Sequence, residues 1–255
     1  WDRFKIEDKM MLMVTHFTGT AMTLAPKAKR DEIPLYFTGS EESVWLEPDG
    51  WVYGANPMCP ILLGTYLGYE KYIWEPRNMG RPPKIALVWW DLAVCHVNYK
   101  GSKAYLDAHN WEVVYETFVP TSQAAFAVEA SRVKASGADV TLGFLFFAAG
   151  FYVRAMDEAG LLPGVDLLVW APEESMLKVA GKAAQYAHSA FLIPEVDYDR
   201  YPVLETIVDN CMKRWGNLDL LIDYVTEYGI GCVITHQALE RAIDAVGYDG
   251  LTPVA

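Results

Sequence analysis

Four short stretches of the 255-residue chain combine residue types that can do chemistry. His16-Phe17-Thr18-Gly19-Thr20 sets hydroxyls and a glycine ahead of a helical segment. Backbone N–H groups exposed at such a helix start suit a carboxylate, while threonine is equally an ordinary N-cap. Thr38-Gly39-Ser40-Glu41-Glu42 carries the same two readings. Asp91 is followed by Cys95 and His96, a thiol beside an imidazole. Ala171-Pro172-Glu173-Glu174-Ser175 puts carboxylates at a helix start, where they either cap the helix or meet a ligand ammonium.

None of these amounts to a known catalytic motif. The chain has no GxSxG elbow, no Walker sequence and no GxGxxG. His16, His96, His109, His188 and His236 show no metal-ligand spacing, so no metal and no cofactor is expected. A hydrolase or transferase built on Cys95 and His96 would need the two side chains to meet in space, which adjacency does not ensure. Cys59, Cys95, Cys211 and Cys232 lack CxxC spacing and read either as free buried thiols or as disulfide partners, with three pairings open.

The elements that must position these stretches alternate between strand and helix. Met10–Thr15, Pro34–Phe37, Lys84–Trp90, Trp111–Phe118, Asp139–Phe147 and Asp166–Trp170 read as strands, and Gly50–Pro57 as strand or extended chain. The run from Phe144 to Ala149 is the longest apolar one and reads as buried strand. Helices are predicted over Ala21–Arg30 (with Pro26 near its start), Pro60–Trp74, Tyr99–Asn110, Ala124–Gly137, Ala148–Ala159, Glu174–Lys182 and Val203–Trp215. A last helix, Leu221–Val246, carries Gly229 and Gly231 as possible breaks. This order specifies an α/β fold with parallel sheets. Ligands then bind beyond the carboxyl ends of strands, at the loops after Thr15, Phe37, Trp90, Phe147 and Trp170. Trp89 and Trp90 face opposite sides of their strand, so one of them can wall a pocket while the other packs in the core.

With 33 acidic against 21 basic residues the net charge is −12. That disfavours nucleic acid and anionic lipid as partners. No stretch reaches the roughly 18 apolar residues of a membrane span, and the first residues do not read as a signal peptide. A length near 255 residues fits one large or two small domains.

Taken in order, several segments resemble the leucine/isoleucine/valine-binding proteins, which have the type I periplasmic binding protein fold. They are WDRFKIEDKMMLMVTHFTGT, DEIPLYFTGSEES, RPPKIALVWWD, ASGADVTLGFLFF, MDEAGLLPGVDLLVWAPEE and YGIGCVITHQALERAIDAVG, and together they run through essentially the whole chain. The resemblance implies two Rossmann-like parallel-sheet lobes joined by a hinge. Lobe 1 would hold residues 1–58 and 198–255, lobe 2 residues 59–197, with hinges near Asn56–Pro60 and Pro194–Tyr198. It implies a non-enzymatic, extracytoplasmic solute-binding protein, periplasmic or associated with the outer surface of a membrane. Such a protein delivers a small carboxylate-bearing ligand to ABC permease subunits: a branched-chain or other hydrophobic amino acid, or an aromatic acid. A ligand-sensing receptor or regulator of the same fold is the alternative.

The turns Thr18-Gly19-Thr20 and Thr38-Gly39-Ser40 would take the carboxylate, Glu173 the amine, and Trp90 and Phe147 would form the apolar wall. Where relatives often carry an acidic contact at the lobe crossing, this chain reads Pro57-Met58-Cys59-Pro60. Where a tyrosine-glycine pair often follows the third strand, Cys95-His96 falls nearby. Both departures point toward a less polar or aromatic acid, and they place Cys59 and Cys95 near the cleft as a candidate disulfide. Family members start with at least one further βαβ unit and end with further strands, which implies that this chain is truncated at both ends.

Overall fold

A computed structural model describes residues 1–37, 50–54, 58–170, 174–188 and 222–253, with a few positions between 205 and 216. Side chains are described for these except at 58–61, 174, 175, 177 and 222–233. The chain forms two compact units, one of Trp1–Met58 with Ile193–Ala255 and one of Cys59–Leu192.

The first unit holds a three-stranded parallel sheet in the order β1 (Met13–Thr15), β2 (Leu35–Phe37), β3 (Val52–Gly54). Helix α2 (Thr18–Asp31) crosses from β1 to β2. Its Ala21 and Ala28 pack on Leu35, Phe37 and Val52, with Met13 and Leu24 at the edge. The short helix α1 (Asp2–Ile6) is tied to the end of α2 through Asp31, which accepts hydrogen bonds from the Trp1 indole at 2.8 Å and from Lys5 Nζ at 2.6 Å.

The second unit holds a five-stranded, all-parallel sheet in the order β5-β4-β6-β7-β8. The strands are β4 (Lys84–Trp90), β5 (Glu112–Val119), β6 (Val140–Phe144), β7 (Asp166–Val169) and β8 (Ala187–His188). The helices are α3 (Met58–Tyr69), α4 (Ala93–Ala108), α5 (Ala127–Ser136), α6 (Ala149–Glu158) and α7 (Glu174–Ala180). Every residue of β6 and β7 is buried, as is β4 after Lys84, because helices cover a parallel sheet on both faces. Gly150 is required where α6 meets α7: a Cβ there would lie 2.6 Å from the Met176 carbonyl oxygen. Gly143 makes room in β6 for the buried Tyr152 ring, 2.8 Å from where a Cβ would sit. At the amino ends of the strands, Asp166 accepts hydrogen bonds from the Tyr69 hydroxyl at 2.7 Å and from both terminal nitrogens of Arg77.

Several element bounds differ from the sequence-based expectation. Helix α2 starts at Thr18 rather than Ala21, so Pro26 lies in its interior. Helix α4 starts at Ala93, six residues ahead of Tyr99, which puts Cys95 and His96 on a helix rather than in a loop. Strand β6 stops at Phe144, because Phe146 turns the chain with a φ of +43° and opens a tight helical turn over Phe146–Ala148. The run from Phe144 to Ala149 is therefore only partly strand. The last helix, α8 (Ile222–Val246), runs unbroken through Gly229 and Gly231. Strand β8 was not expected at all: two residues of Ala and His carry no strand pattern, and pairing with β7 creates it. Most of the expected helix over Val203–Trp215, and the crossings at Asn56, Pro57 and residues 194–198, lie outside the described residues.

Candidate functional site

In the first unit the carboxyl end of β1 runs through His16 and Phe17 into α2. Phe17 occupies the cap position, in extended conformation, and has no side-chain acceptor to offer. The first backbone N–H groups of a helix lack partners within it. Those of Thr18, Gly19 and Thr20 therefore stand without a side-chain cap at the positive end of a 14-residue helix. The Thr18 hydroxyl is not the cap, since Thr18 is already the first helical residue and is buried. Burial lowers the pKa of the neighbouring His16, which favours a neutral imidazole beside the helix start at neutral pH.

In the second unit the carboxyl edge of the sheet is a wall of rings. Trp90 ends β4 and is buried. Phe146 stacks on it with ring centres 5.6 Å apart and an interplanar angle of 21°. Phe147 leans on it at 5.6 Å and 59° and is 53% exposed. Phe144 meets Phe146 edge to face at 5.2 Å and stacks on Trp170 at 5.4 Å. Trp89 turns the other way, is buried, and packs against Tyr99, Phe118 and Phe144. A left-handed backbone at a bulky residue such as Phe146 costs about 1–3 kcal/mol and is typical of functional edges.

On the same edge Asp91 and His96 form an exposed pair, with Nε2 2.7 Å from Oδ1, and the imidazole stacks on Phe118 with centres 4.2 Å apart. Its neighbour Cys95 points into the core. Burial pushes that thiol up to about 12, so it is protonated and unreactive at neutral pH. Cys95 and His96 therefore do not form a nucleophile–base pair. Cys95 is also a free thiol, which excludes the Cys59–Cys95 disulfide.

Of the residues singled out in the sequence, Thr18, Gly19 and Thr20 come together at one helix start, and Trp90 and Phe147 touch across the ring wall. Thr38, Gly39, Ser40 and Glu173 lie outside the described residues, and Cys59 is described only as part of the first turn of α3. The contribution of Phe146 was missed, since Leu-Phe-Phe-Ala reads as continuing strand and nothing in it signals a left-handed turn. Asp91 could have been paired with His96 had the helix been started at Ala93. Among the described residues no group of three His, Cys, Asp or Glu side chains gathers to hold a metal, and no helix is long and apolar enough to cross a membrane.

Residues 6–255 match the family model described as periplasmic binding protein. The chain belongs to that family. Solved structures agree on the fold. A branched-chain amino acid ABC transporter protein from Thermus thermophilus with bound valine superposes with a TM-score of 0.80 at 14% identity, over 99% of this chain and 64% of that one. An ABC transporter solute-binding protein from R. palustris in complex with 4-hydroxybenzoate gives 0.57 at 18%, over 70% of this chain and 49% of that one. A third, from Rhodopseudomonas palustris BisB5 in complex with 3,4-dihydroxybenzoic acid, gives 0.65 at 17%, over 96% and 65%. This periplasmic binding protein chain thus spans from about half to two thirds of the length of these structures. No curated protein matches it. The alternating α/β order and parallel sheets expected from the sequence are those of the type I periplasmic binding protein fold.

Proposed function

We propose that this chain is the ligand-capturing part of an extracytoplasmic solute-binding protein that serves an ABC permease. Its ligand is a small acid with an apolar body: a hydrophobic amino acid or an aromatic acid. The observation that carries this reading is the start of α2, where a helix directly after a strand end has no side-chain cap over its N–H groups. A carboxylate accepts from such groups and gains from the helix dipole. The second unit supplies apolar surface at the carboxyl edge of its own sheet, through Trp90 and Phe147. Ligand binds the first unit, the second closes over it, and binding free energy shifts an open–closed equilibrium toward the form a permease recognises. In this scheme Thr38, Gly39 and Ser40 add to the carboxylate site, and Glu173 meets an amine where the ligand has one. The proposed lobes are residues 1–58 with 198–255, and 59–197.

A thermal-shift panel of amino acids, aromatic acids and the matching neutral amides tests this, because a ligand of the native state alone raises its melting point with dose. Acids should stabilise and their amides should not. The informative variant is Thr18→Pro. Proline is favoured at the first helical position, and Phe17 already has the extended backbone that a following proline requires, so the helix is kept while one N–H is removed. A charge-assisted hydrogen bond is worth about 1.5–3 kcal/mol, so acid affinity should fall roughly 10- to 100-fold. Equal response to acids and amides, or full affinity in Thr18→Pro, would remove the helix start from the site.

A further inference from the structure

The turn between β4 and α4 carries two residues that the proposed function leaves without a task. Asp91 follows the last residue of β4, and His96 lies five residues on, inside α4. Helix α4 starts at Ala93 with Leu92 at its cap position, in extended conformation and without a side-chain cap. Asp91 is therefore the residue before the cap, and His96 is the fourth residue of the helix. Those are the two positions that a hydrophobic staple joins, fixing the angle at which a chain enters its helix. Here a polar contact joins them instead, with His96 Nε2 2.7 Å from Asp91 Oδ1. An ionised carboxylate only accepts, so the imidazole donates through Nε2.

Two further contacts tie this staple to β5. The Asp91 backbone N–H donates to the Val119 carbonyl at 2.8 Å, and the His96 ring stacks on Phe118 with planes 15° from parallel. Phe118 and Val119 are the register partners of Trp89 and Trp90. The chain leaving Trp90 is thus held by its backbone, by a side-chain hydrogen bond and by a ring stack. The His96 and Asp91 side chains are 49% and 67% exposed, and a pair so open to water adds little to folding stability.

We propose that Asp91 and His96 are positioning residues for ligand capture: their staple sets the turn after β4, and through it Trp90, in the geometry that the second unit presents to ligand. The proposal rests on the function proposed above, in which ligand meets the carboxyl edge of this sheet. A turn that is already fixed does not have to be ordered on binding, and that ordering would otherwise be subtracted from the binding free energy. The pair therefore shows itself in affinity rather than in stability.

Calorimetric titration with 4-hydroxybenzoate and with leucine, alongside melting points without ligand, tests this on the wild type, Asp91→Ala, His96→Ala and the double variant Asp91→Leu/His96→Phe. The double variant rebuilds the staple from apolar side chains and keeps a ring over Phe118. Each alanine variant should bind the tighter of the two probes roughly 2- to 10-fold more weakly, the range that one hydrogen bond covers. Its melting point should stay within about 3 °C of the wild type. The double variant should return to within about 2-fold of the wild-type affinity. Full affinity in both alanine variants overturns the positioning role. So does a loss that the double variant does not recover, or one that comes with a larger fall in melting point. Each of these leaves the binding-protein reading standing. If neither probe binds the folded wild type, the functional reading itself fails and the positioning role fails with it.

Discussion

The two units solve the same architectural problem to different depths. In the second, β6, β7 and β4 after Lys84 are buried, and Ile85, Trp89, Phe144, Tyr152 and Leu168 are fully or almost fully buried in its core. In the first, β2 is buried but β1 and β3 leave Val14 and Tyr53 about half exposed, as are Phe4 and Met22. A groove of about 400 Å³ lies within this unit between the strands and α8, lined by Leu12, Tyr36, Trp51, Tyr53, Ile234 and Leu239. Parallel sheets are stable when both faces are covered. Among the described residues the second unit is therefore the more deeply packed of the two.

Four substitutions would break or sharpen that contrast. The largest effect is expected for Trp89→Ala, which empties the middle of the second core and should cost about 3–5 kcal/mol in urea unfolding. Next is Gly150→Ala. Its methyl would meet the Met176 carbonyl at 2.6 Å, forcing α6 from α7 at a cost of about 1–3 kcal/mol by the same measurement.

Smaller again is a pH effect at Asp139. Burial pushes its carboxyl up, but hydrogen bonds from Arg81 and the Lys84 backbone N–H outweigh this and hold it below the usual carboxylate value. The stabilisation is therefore complete above the unfolded value near pH 4 and is lost as pH falls through the lower folded one. Denaturant midpoints followed from pH 6 down to pH 2 should fall less steeply in Asp139→Asn than in the wild type. The smallest change is expected for Val14→Thr in the first unit, within about 0.5 kcal/mol. A larger loss there would mean that Val14 is covered in solution and that the contrast is overstated. Hydrogen exchange gives the same comparison without mutation, with the slowest amides expected in β4 and β6.

Strand-rich apolar runs made the fold legible in the sequence. KIALVWW reads as a buried parallel strand and is one, and the Gly137 that ends α5 adopts the left-handed C-cap its type suggests. Local pattern failed where tertiary context decides. The start of α4 lacks a conventional cap, since Leu92 stands there, and the end of β6 is set by an unfavourable φ at Phe146, whose ring stacks on Trp90. The candidate site was legible at Thr18 and at Trp90 because strand ends can be counted from sequence. The orientation of Phe147 and the Asp91–His96 pair depend on those misplaced bounds and could not be.

The most direct test of the central claim, capture by closure, is small-angle X-ray scattering with and without saturating 4-hydroxybenzoate, with binding verified by calorimetry on the same sample. The account predicts that the radius of gyration contracts on binding, and that the contraction at equal ligand concentration is smaller in Thr18→Pro. A bound protein whose scattering curve is unchanged from the free form would contradict it.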